Sequence, residues 1–414
     1  MNVGWIGLGK LGLTCAAVLA DRGHNVVGYD VSPWAADVLG GRAPAPAEEG
    51  FEALDTSRIG LAPHIASVVA SSDIVFVAVQ TPHAPAYGGE TPAPEERRDF
   101  EYGYLVNAVR EVCRQARAQE KRITLVVVST VLPGTCNRLL RPLLNDWVRL
   151  VYNPFFIAMG TTVLDFLNPE FVLLGVDKVT DLGDLCALYD TLHDVPHKVM
   201  SIESAELTKV SYNTFISMKI VWANTLMEIC HKTGADCDDV VDALELATDR
   251  VISSKYMRGG MGDGGHCHPR DLIAMSWLAE RLDLSYDLLG DMAYAREEQS
   301  AWLARLVGEW RDQTGLEVVI LGKAYKPESP LTGGSPALLL RHQLGNVRAW
   351  DAHVDREVPQ AATSFFDVPY VYVIATRHPE YAKQVYPAGS VVIDPWGYIP
   401  DQPGVTVVRV GRKG

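Results

Sequence analysis

Two clusters of residues have types and spacings suited to chemistry. The first is Gly259 to Asp271, GGMGDGGHCHPRD, where five glycines crowd into the residues before Cys267. Glycines without Cβ atoms let a backbone wrap closely around a ligand. Cys267 lies between His266 and His268 and shortly before Arg270, and a nearby cation favours the thiolate, the nucleophilic form of a cysteine. An inert buried thiol is the alternative, and the glycine context argues against it. His266, Cys267 and His268 are consecutive and lack zinc spacing, so no metal is expected.

The second cluster is Gly7-Leu8-Gly9-Lys10-Leu11-Gly12, which fits GxGxxG. It follows a predicted strand, opens a predicted helix, and precedes a second strand ending in Asp30, about 20 residues on. In such an element the first glycine makes the turn and the second admits a pyrophosphate. The third lets helix and strand pack, and the helix N-terminus of Lys10 and Leu11 faces the phosphates. Asp30 would take ribose hydroxyls and disfavour a 2′-phosphate. Val31 and Ser32 supply no compensating cation, so NAD is expected over NADP.

The elements that must position these clusters alternate. Val3–Ile6, Asn25–Tyr29, Ile74–Val79 and Ile123–Ser129 read as buried parallel strands, with helices over Leu11–Asp21 and Tyr104–Gln119. The segment 84–98 reads as a surface loop rich in Pro, Gly and charge. Residues 203–232 contain no Gly or Pro and read as one long helix, stopped by Gly234. A second alternating region holds strands at Glu317–Leu321, Val347–Trp350, Tyr370–Ile374 and Val391–Asp394, with Asp351 following a strand as Asp30 does. The expected fold is α/β: two Rossmann-like doubly wound domains joined by a long central helix and a helical middle domain. The expected boundaries are 1–198, 199–296 and 297–414.

Composition limits the function classes. The chain has 414 residues, 48% hydrophobic, enough for several cores. A net charge of -14 opposes general binding to nucleic acid or anionic membrane. No apolar run approaches the roughly 20 residues that span a bilayer, and the start is unlike a signal peptide. Seven dispersed cysteines without a CxxC pair suggest a reducing cytoplasm.

Further motifs now carry a resemblance. The cysteine loop resembles the GxGxGGxCxPKD signature of the UDP-glucose/GDP-mannose dehydrogenase family. Gln80-Thr81-Pro82, the segment Ser129 to Thr135 (STVLPGT), Asn153-Pro154 with DFLNP at 165–169, ELTKVSYN at 206–213, and LGKAYK at 321–326 with Ser335-Pro336 resemble its other motifs, in the family's order. The likeness runs through nearly the whole chain. It implies NAD on the first domain, with Thr81, Pro82 and Thr130 joining the glycine fingerprint. It implies a nucleotide sugar, here expected to be a UDP-hexose such as UDP-glucose, and a homodimer or larger homo-oligomer built on the central helix. The implied reaction is oxidation of C6 from alcohol to acid through a thiohemiacetal and a thioester on Cys267. Lys209 and Asn213, four apart on one helix face, would stabilise oxyanions. Thr130 and Asp271 would hold and activate water. Phe155, Phe156, Tyr256, Gly260, Gly264 and Lys326 would join Lys209 and Asn213 around the substrate.

The pattern breaks in places. The family's NPEFLxEG reads Asn153-Pro154-Phe155-Phe156-Ile157-Ala158-Met159-Gly160, so Phe155 and Met159 replace two glutamates, and Gly333 stands where the family has an arginine. One of those glutamates is assigned to thioester hydrolysis in the family. An enzyme stopping at aldehyde or thioester is therefore a second reading. A protein that binds without catalysis is a third, and a relative of the 6-phosphogluconate or 3-hydroxyacid dehydrogenases is a fourth. Retention of Cys267, Lys209 and Asp271 opposes the third, and the second Rossmann-like region opposes the fourth. A histidine next to Cys267 can replace the lost base, since imidazole titrates near neutrality. His266→Gln or His268→Gln is then expected to slow hydrolysis of the acyl-enzyme by about 100-fold. Single-turnover acid release measures this, and full hydrolysis in both variants would exclude the idea.

Overall fold

Parallel strands covered on both faces must be apolar on both faces, and the strand runs of this chain are. The computed structural model describes residues 1–82, 99–158, 160–177, 182–253, 259–261, 269, 276, 279–355 and 364–412. They divide into two compact units, Met1–Met218 and Lys219–Gly414.

The first unit is built on an eight-stranded sheet. Its strands are β1 (Asn2–Ile6), β2 (Asn25–Tyr29), β3 (Ile59–Leu61), β4 (Ile74–Val77), β5 (Ile123–Val127), β6 (Val148–Tyr152), β7 (Val172–Gly175) and β8 (His197–Met200). The order is β3-β2-β1-β4-β5-β6-β7-β8. All neighbours are parallel except β6 and β7, which meet antiparallel at Tyr152 and Gly175. Side chains alternate between two cores. Trp5, Phe76, Val126, Val151 and Leu174 enter one, with the apolar face of helix Lys10–Asp21. Val75, Val77, Leu125, Val127, Leu150 and Leu173 enter the other, against helix Gly103–Ala118. Trp5 stacks on Phe76 with centroids 4.7 Å apart. The expected strand runs ending at Val79 and Ser129 leave the ladder at Val77 and Val127. Their last residues form the strand-end loops instead, where the Ser129 hydroxyl donates to the Val79 carbonyl at 2.6 Å.

The long helix spans Ile202–Thr233, and Gly234 follows it with φ +79°. A left-handed glycine at this position ends the helix as the sequence led one to expect. No helix among the described residues is long and apolar enough to cross a membrane.

The second unit holds helices Cys237–Glu245 and Leu288–Thr314 and a five-stranded, wholly parallel sheet. Its strands are β9 (Val318–Leu321), β10 (Arg348–Trp350), β11 (Val371–Ile374), β12 (Val391–Asp394) and β13 (Thr406–Arg409), ordered β10-β9-β11-β12-β13. Its first corner repeats that of the first unit. Gly7 leaves β1 at φ +94° and donates to the Tyr29 carbonyl at 2.9 Å, and Gly322 leaves β9 at φ +105° and donates to the Trp350 carbonyl at 2.7 Å. Asp351 then accepts the Lys323 N–H at 2.6 Å, as Asp30 accepts the Leu8 N–H at 2.6 Å.

Asp351 is fully buried. It also accepts the amides of Ala324, His353 and Val354, and its Oδ2 lies 3.1 Å from His378 Nε2. Burial pushes its pKa up, but the His378 contact and the amide donors outweigh burial and hold the carboxyl well below the usual carboxylate range. A depressed folded-state pKa gives stability that is complete above the ordinary carboxylate pKa of about 4 and is lost as pH falls below it. Asp351→Asn is expected to cost about 3 kcal/mol at neutral pH. It should also flatten the acid limb below about pH 4, as measured by urea unfolding against pH.

Candidate functional site

The turn after β1 admits no side chain where the chain is tightest. A Cβ on Gly7 would lie 2.6 Å from the Ala78 carbonyl oxygen, and one on Gly12 only 1.9 Å from the Gly7 oxygen. Gly9 differs: nothing lies within 4 Å of its Cβ position, and it is exposed. Gly9 is also the N-cap of helix Lys10–Asp21 and no side chain caps that end, so the first-turn N–H groups are available to an anion. Asp30 is half-buried at the end of β2, with Oδ2 taking the Leu8 N–H and Oδ1 the Ser32 N–H at 2.7 Å. Each oxygen keeps a lone pair for a hydroxyl. Val31 beside it is 90% exposed and offers no charge. Two packed glycines, one open glycine and an oriented acid fit a dinucleotide without a 2′-phosphate.

The loops after β4 and β5 are tied together. Thr81 Oγ1 donates to the Thr130 carbonyl at 2.8 Å, and the Pro82 carbonyl accepts the Glu101 N–H at 2.8 Å. Further along, Gly134 turns at φ +85°, and Glu206 accepts the Gly134 N–H at 2.5 Å and the Cys136 N–H at 2.7 Å. Glu206 belongs to a motif quoted from the sequence but received no role there. The available signal was an acid three residues before Lys209 on a helix, the spacing that puts both near one face.

Lys209 is nine-tenths buried. Its Nζ donates to the Phe155 carbonyl at 2.7 Å and lies 5.0 Å from the centroid of the Phe156 ring. Burial lowers its pKa from the ordinary lysine value. Asn213, one turn further on, is exposed. The two phenylalanine rings pack on protein: Phe155 lies 5.2 Å from Phe166 and 6.5 Å from Trp5, and Phe156 lies 4.6 Å from Tyr212 and 5.0 Å from Phe171. Phe155 therefore meets Lys209 through its backbone. Asn153 is buried, donates to the Leu173 carbonyl at 2.9 Å and accepts the Tyr189 hydroxyl, which fixes the start of this segment.

The first unit thus brings together Gly7, Gly9, Lys10, Leu11, Gly12, Asp30, Thr81, Pro82 and Thr130 at the carboxyl ends of β1, β2, β4 and β5. Phe155, Phe156 and Lys209 gather after β6. In the second unit, a Cβ on Gly260 would lie 2.5 Å from the Trp396 ring. Arg412 donates to the Gly259 carbonyl at 3.0 Å, so Gly259 and Gly260 are packed against the segments that follow β12 and β13. Lys326 is exposed, its ammonium 5.7 Å from the Tyr325 ring. Tyr256, Gly264, Cys267 and Asp271 lie outside the described residues. His353, His378 and Glu380 approach one another closely enough to suggest a metal site. Both ring nitrogens of His378 are engaged, however, Nδ1 by the Glu328 N–H at 3.1 Å and Nε2 by Asp351. His353 Nε2 lies 2.6 Å from Glu380 Oε1. This cluster is a hydrogen-bonded network.

Comparison with known proteins agrees with this geometry. Residues 1–193 match the NAD binding domain of the UDP-glucose/GDP-mannose dehydrogenase family, and residues 203–295 match its central domain. GDP-mannose 6-dehydrogenase of Pseudomonas aeruginosa is 32% identical over 360 residues, 83% of this chain and 78% of that protein. UDP-glucose 6-dehydrogenase of Bacillus subtilis is 25% identical over 381 residues, 87% of this chain and 82% of that one. Among solved structures, a ternary complex of GDP-mannose dehydrogenase from Pseudomonas aeruginosa has a TM-score of 0.84 at 25% identity, covering 98% of this chain and 99% of that chain. A UDP-glucose dehydrogenase from Pyrobaculum islandicum has a TM-score of 0.54 at 27% identity, covering 99% and 97%.

NAD is the dinucleotide these residues fit. Asp30→Ala removes a charged acceptor from the ribose position and is expected to weaken NAD about tenfold while leaving NADP nearly unchanged. Calorimetric titration of both dinucleotides checks this, and equal effects on both would move the ribose contact elsewhere.

Proposed function

This chain belongs to the UDP-glucose/GDP-mannose dehydrogenase family, and we propose that it oxidises C6 of a nucleotide sugar with NAD, from alcohol to acid, through Cys267. The observation that carries the reading is Lys209. A nine-tenths buried ammonium held at a strand end is costly unless charge develops beside it.

NAD, when bound, supplies the hydride acceptor, and Gly7, Gly9, Lys10, Leu11, Gly12 and Asp30 would hold it, with Thr81, Pro82 and Thr130 beside them in the same unit. Lys209 and Asn213 stabilise negative charge on the C6 oxygen as its proton leaves. Burial loosens the hold of Lys209 on its proton, which suits an oxygen that gains and loses charge. The Cys267 thiolate then adds to the aldehyde carbon. The thiohemiacetal loses a second hydride and becomes a thioester. Water held by Thr130 and Asp271 adds to the thioester and the thiolate leaves, so one alcohol, one water and two NAD⁺ give one carboxylate, two NADH and three protons, which pass to solvent. In this reading residues 1–198 hold NAD, residues 199–296 dimerise, and residues 297–414 take the nucleotide with Lys326. Tyr256, Gly260 and Gly264 line the loop around it. The long helix supports the dimer by exposing Leu207, Phe215, Ile216, Met218, Trp222 and Met227. The cytoplasm is the proposed location, in keeping with reduced thiols such as Cys15, Cys113 and Cys136.

The sequence favoured a UDP-hexose. Among curated relatives the Pseudomonas aeruginosa GDP-mannose 6-dehydrogenase has the higher identity, 32% against 25%, and among solved structures the GDP-mannose dehydrogenase has the higher TM-score, 0.84 against 0.54, which favours GDP-mannose as the first sugar to test. A second reading, oxidation that stops at aldehyde or thioester, draws support from Phe155. Its ring packs on Phe166 and Trp5 where the family has a glutamate, and it can activate no water.

NADH formed per limiting sugar, with excess NAD and with GDP-mannose and UDP-glucose in parallel, separates these readings. Two NADH per sugar is the expected result. One NADH with an added mass on Cys267 would establish the stalled enzyme. Cys267→Ser is expected to lower turnover by about 10³-fold or more, and an unchanged rate would exclude covalent catalysis.

A further inference from the structure

Glu206 has no exposed surface. Its two oxygens accept two backbone amides, Oε2 from Gly134 and Oε1 from Cys136. Both amides belong to the loop that leaves β5 and carries Thr130. One residue of the next helical turn, Lys209, reaches the loop that leaves β6, at the Phe155 carbonyl. Residues three apart on a helix are neighbours at a nearly fixed distance. A single turn of the long helix thus fastens two adjacent strand-end loops, one through an acid and one through a cation. Glu203, a turn earlier, accepts the Asn137 side-chain amide and extends the same seam.

We propose that Glu206 is a positioning residue of the reaction, one that sets the spacing between Thr130 and Lys209. The inference rests on the roles given to those two residues above. Glu206 touches neither cofactor nor substrate in this scheme. It acts through the Gly134 and Cys136 amides, which fix the loop, and through the helix, which fixes Lys209. Glutamine has the same shape but a different donor pattern. Its one oxygen satisfies one amide, and its NH₂ faces the other, donor against donor. The loop must then move away from the helix by a few tenths of an ångström or more, while the fingerprint from Gly7 to Gly12 is untouched.

The test uses the full-length protein with Glu206→Gln and Glu206→Asp. For Glu206→Gln we expect kcat to fall by about tenfold to a hundredfold, the scale of a small misplacement of catalytic groups. KM for the nucleotide sugar and Kd for NAD should stay within about twofold, since no contact to either is removed. Amide hydrogen exchange of Gly134 and Cys136 should quicken by about tenfold or more. Glu206→Asp keeps both acceptor oxygens and should recover part of kcat and of the protection; it also serves if the glutamine variant fails to fold. Unchanged kcat in a folded Glu206→Gln would overturn the proposal. So would a loss of kcat matched by an equal loss of NAD binding or of folded protein, because that would mark a purely structural role. A wild-type protein that forms no NADH with any nucleotide sugar would sink the functional reading instead. The exchange measurement would then still decide whether Glu206 clamps the loop.

Discussion

Loops at the carboxyl ends of parallel strands carry N–H groups that no ladder can pair, and this chain pairs them with carboxylates. Glu206 takes Gly134 and Cys136. Asp30 takes Leu8 and Ser32, and Glu48 takes Gly160 and Thr162. Asp351 takes four amides, and Asp394 takes those of Trp396, Gly397, Tyr398 and Ile399. An N–H buried without a partner costs about 1–3 kcal/mol, so each such loop would open without its acid. The proposed binding residues sit on these loops, and their placement is inherited from the acids that hold them.

The same device has two outcomes. Asp30 is half-buried, and the two amides it accepts leave each oxygen a spare lone pair. Asp351 stands at the matching corner of the second unit but is fully buried, with four amides and His378 around it. An acid with spare acceptor capacity at the surface can recognise a ribose. An acid saturated by its own chain can only stabilise the corner. Two sheets with the same order at their first corner therefore differ in what they can bind there, and the difference lies in burial and hydrogen-bond count.

Much of this was legible in the sequence. Gly7 and Gly12 announce themselves because only glycine tolerates their φ or their contacts, and Asp30 follows at a spacing the fold dictates. Apolar runs such as residues 74–77 and 123–127 are visible because both faces are covered. Five strands were not anticipated: the edge strands Ile59–Leu61, His197–Met200 and Thr406–Arg409, where few apolar residues are needed, and the interior strands Val148–Tyr152 and Val172–Gly175. Glu206 was missed for a different reason. Its partners are some 70 residues earlier in the chain, and no local pattern marks an acid that serves distant amides. The inward packing of the Phe155 and Phe156 rings was hidden likewise, because it depends on Trp5, Phe166, Phe171 and Tyr212.

Phe155, at the position where the resemblance implies a glutamate, offers Lys209 no carboxylate. Lys209 meets Phe155 through its backbone carbonyl, with its ammonium over the Phe156 ring. A carbonyl dipole and a ring quadrupole stabilise an ammonium less than a carboxylate does. Lys209 is buried enough that desolvation lowers its pKa. A lysine in such a place holds its proton less firmly than one paired with an acid, and its ammonium remains a donor for a nearby oxyanion. Oxidation of an alcohol is helped by a donor beside the developing oxyanion; hydrolysis of a thioester needs a group that activates water. The substitutions at Phe155 and Met159 thus leave the first half of the proposed reaction chemically supported by this unit. In the proposed reaction the second half rests on Thr130, Asp271 and the histidines that flank Cys267 in the sequence.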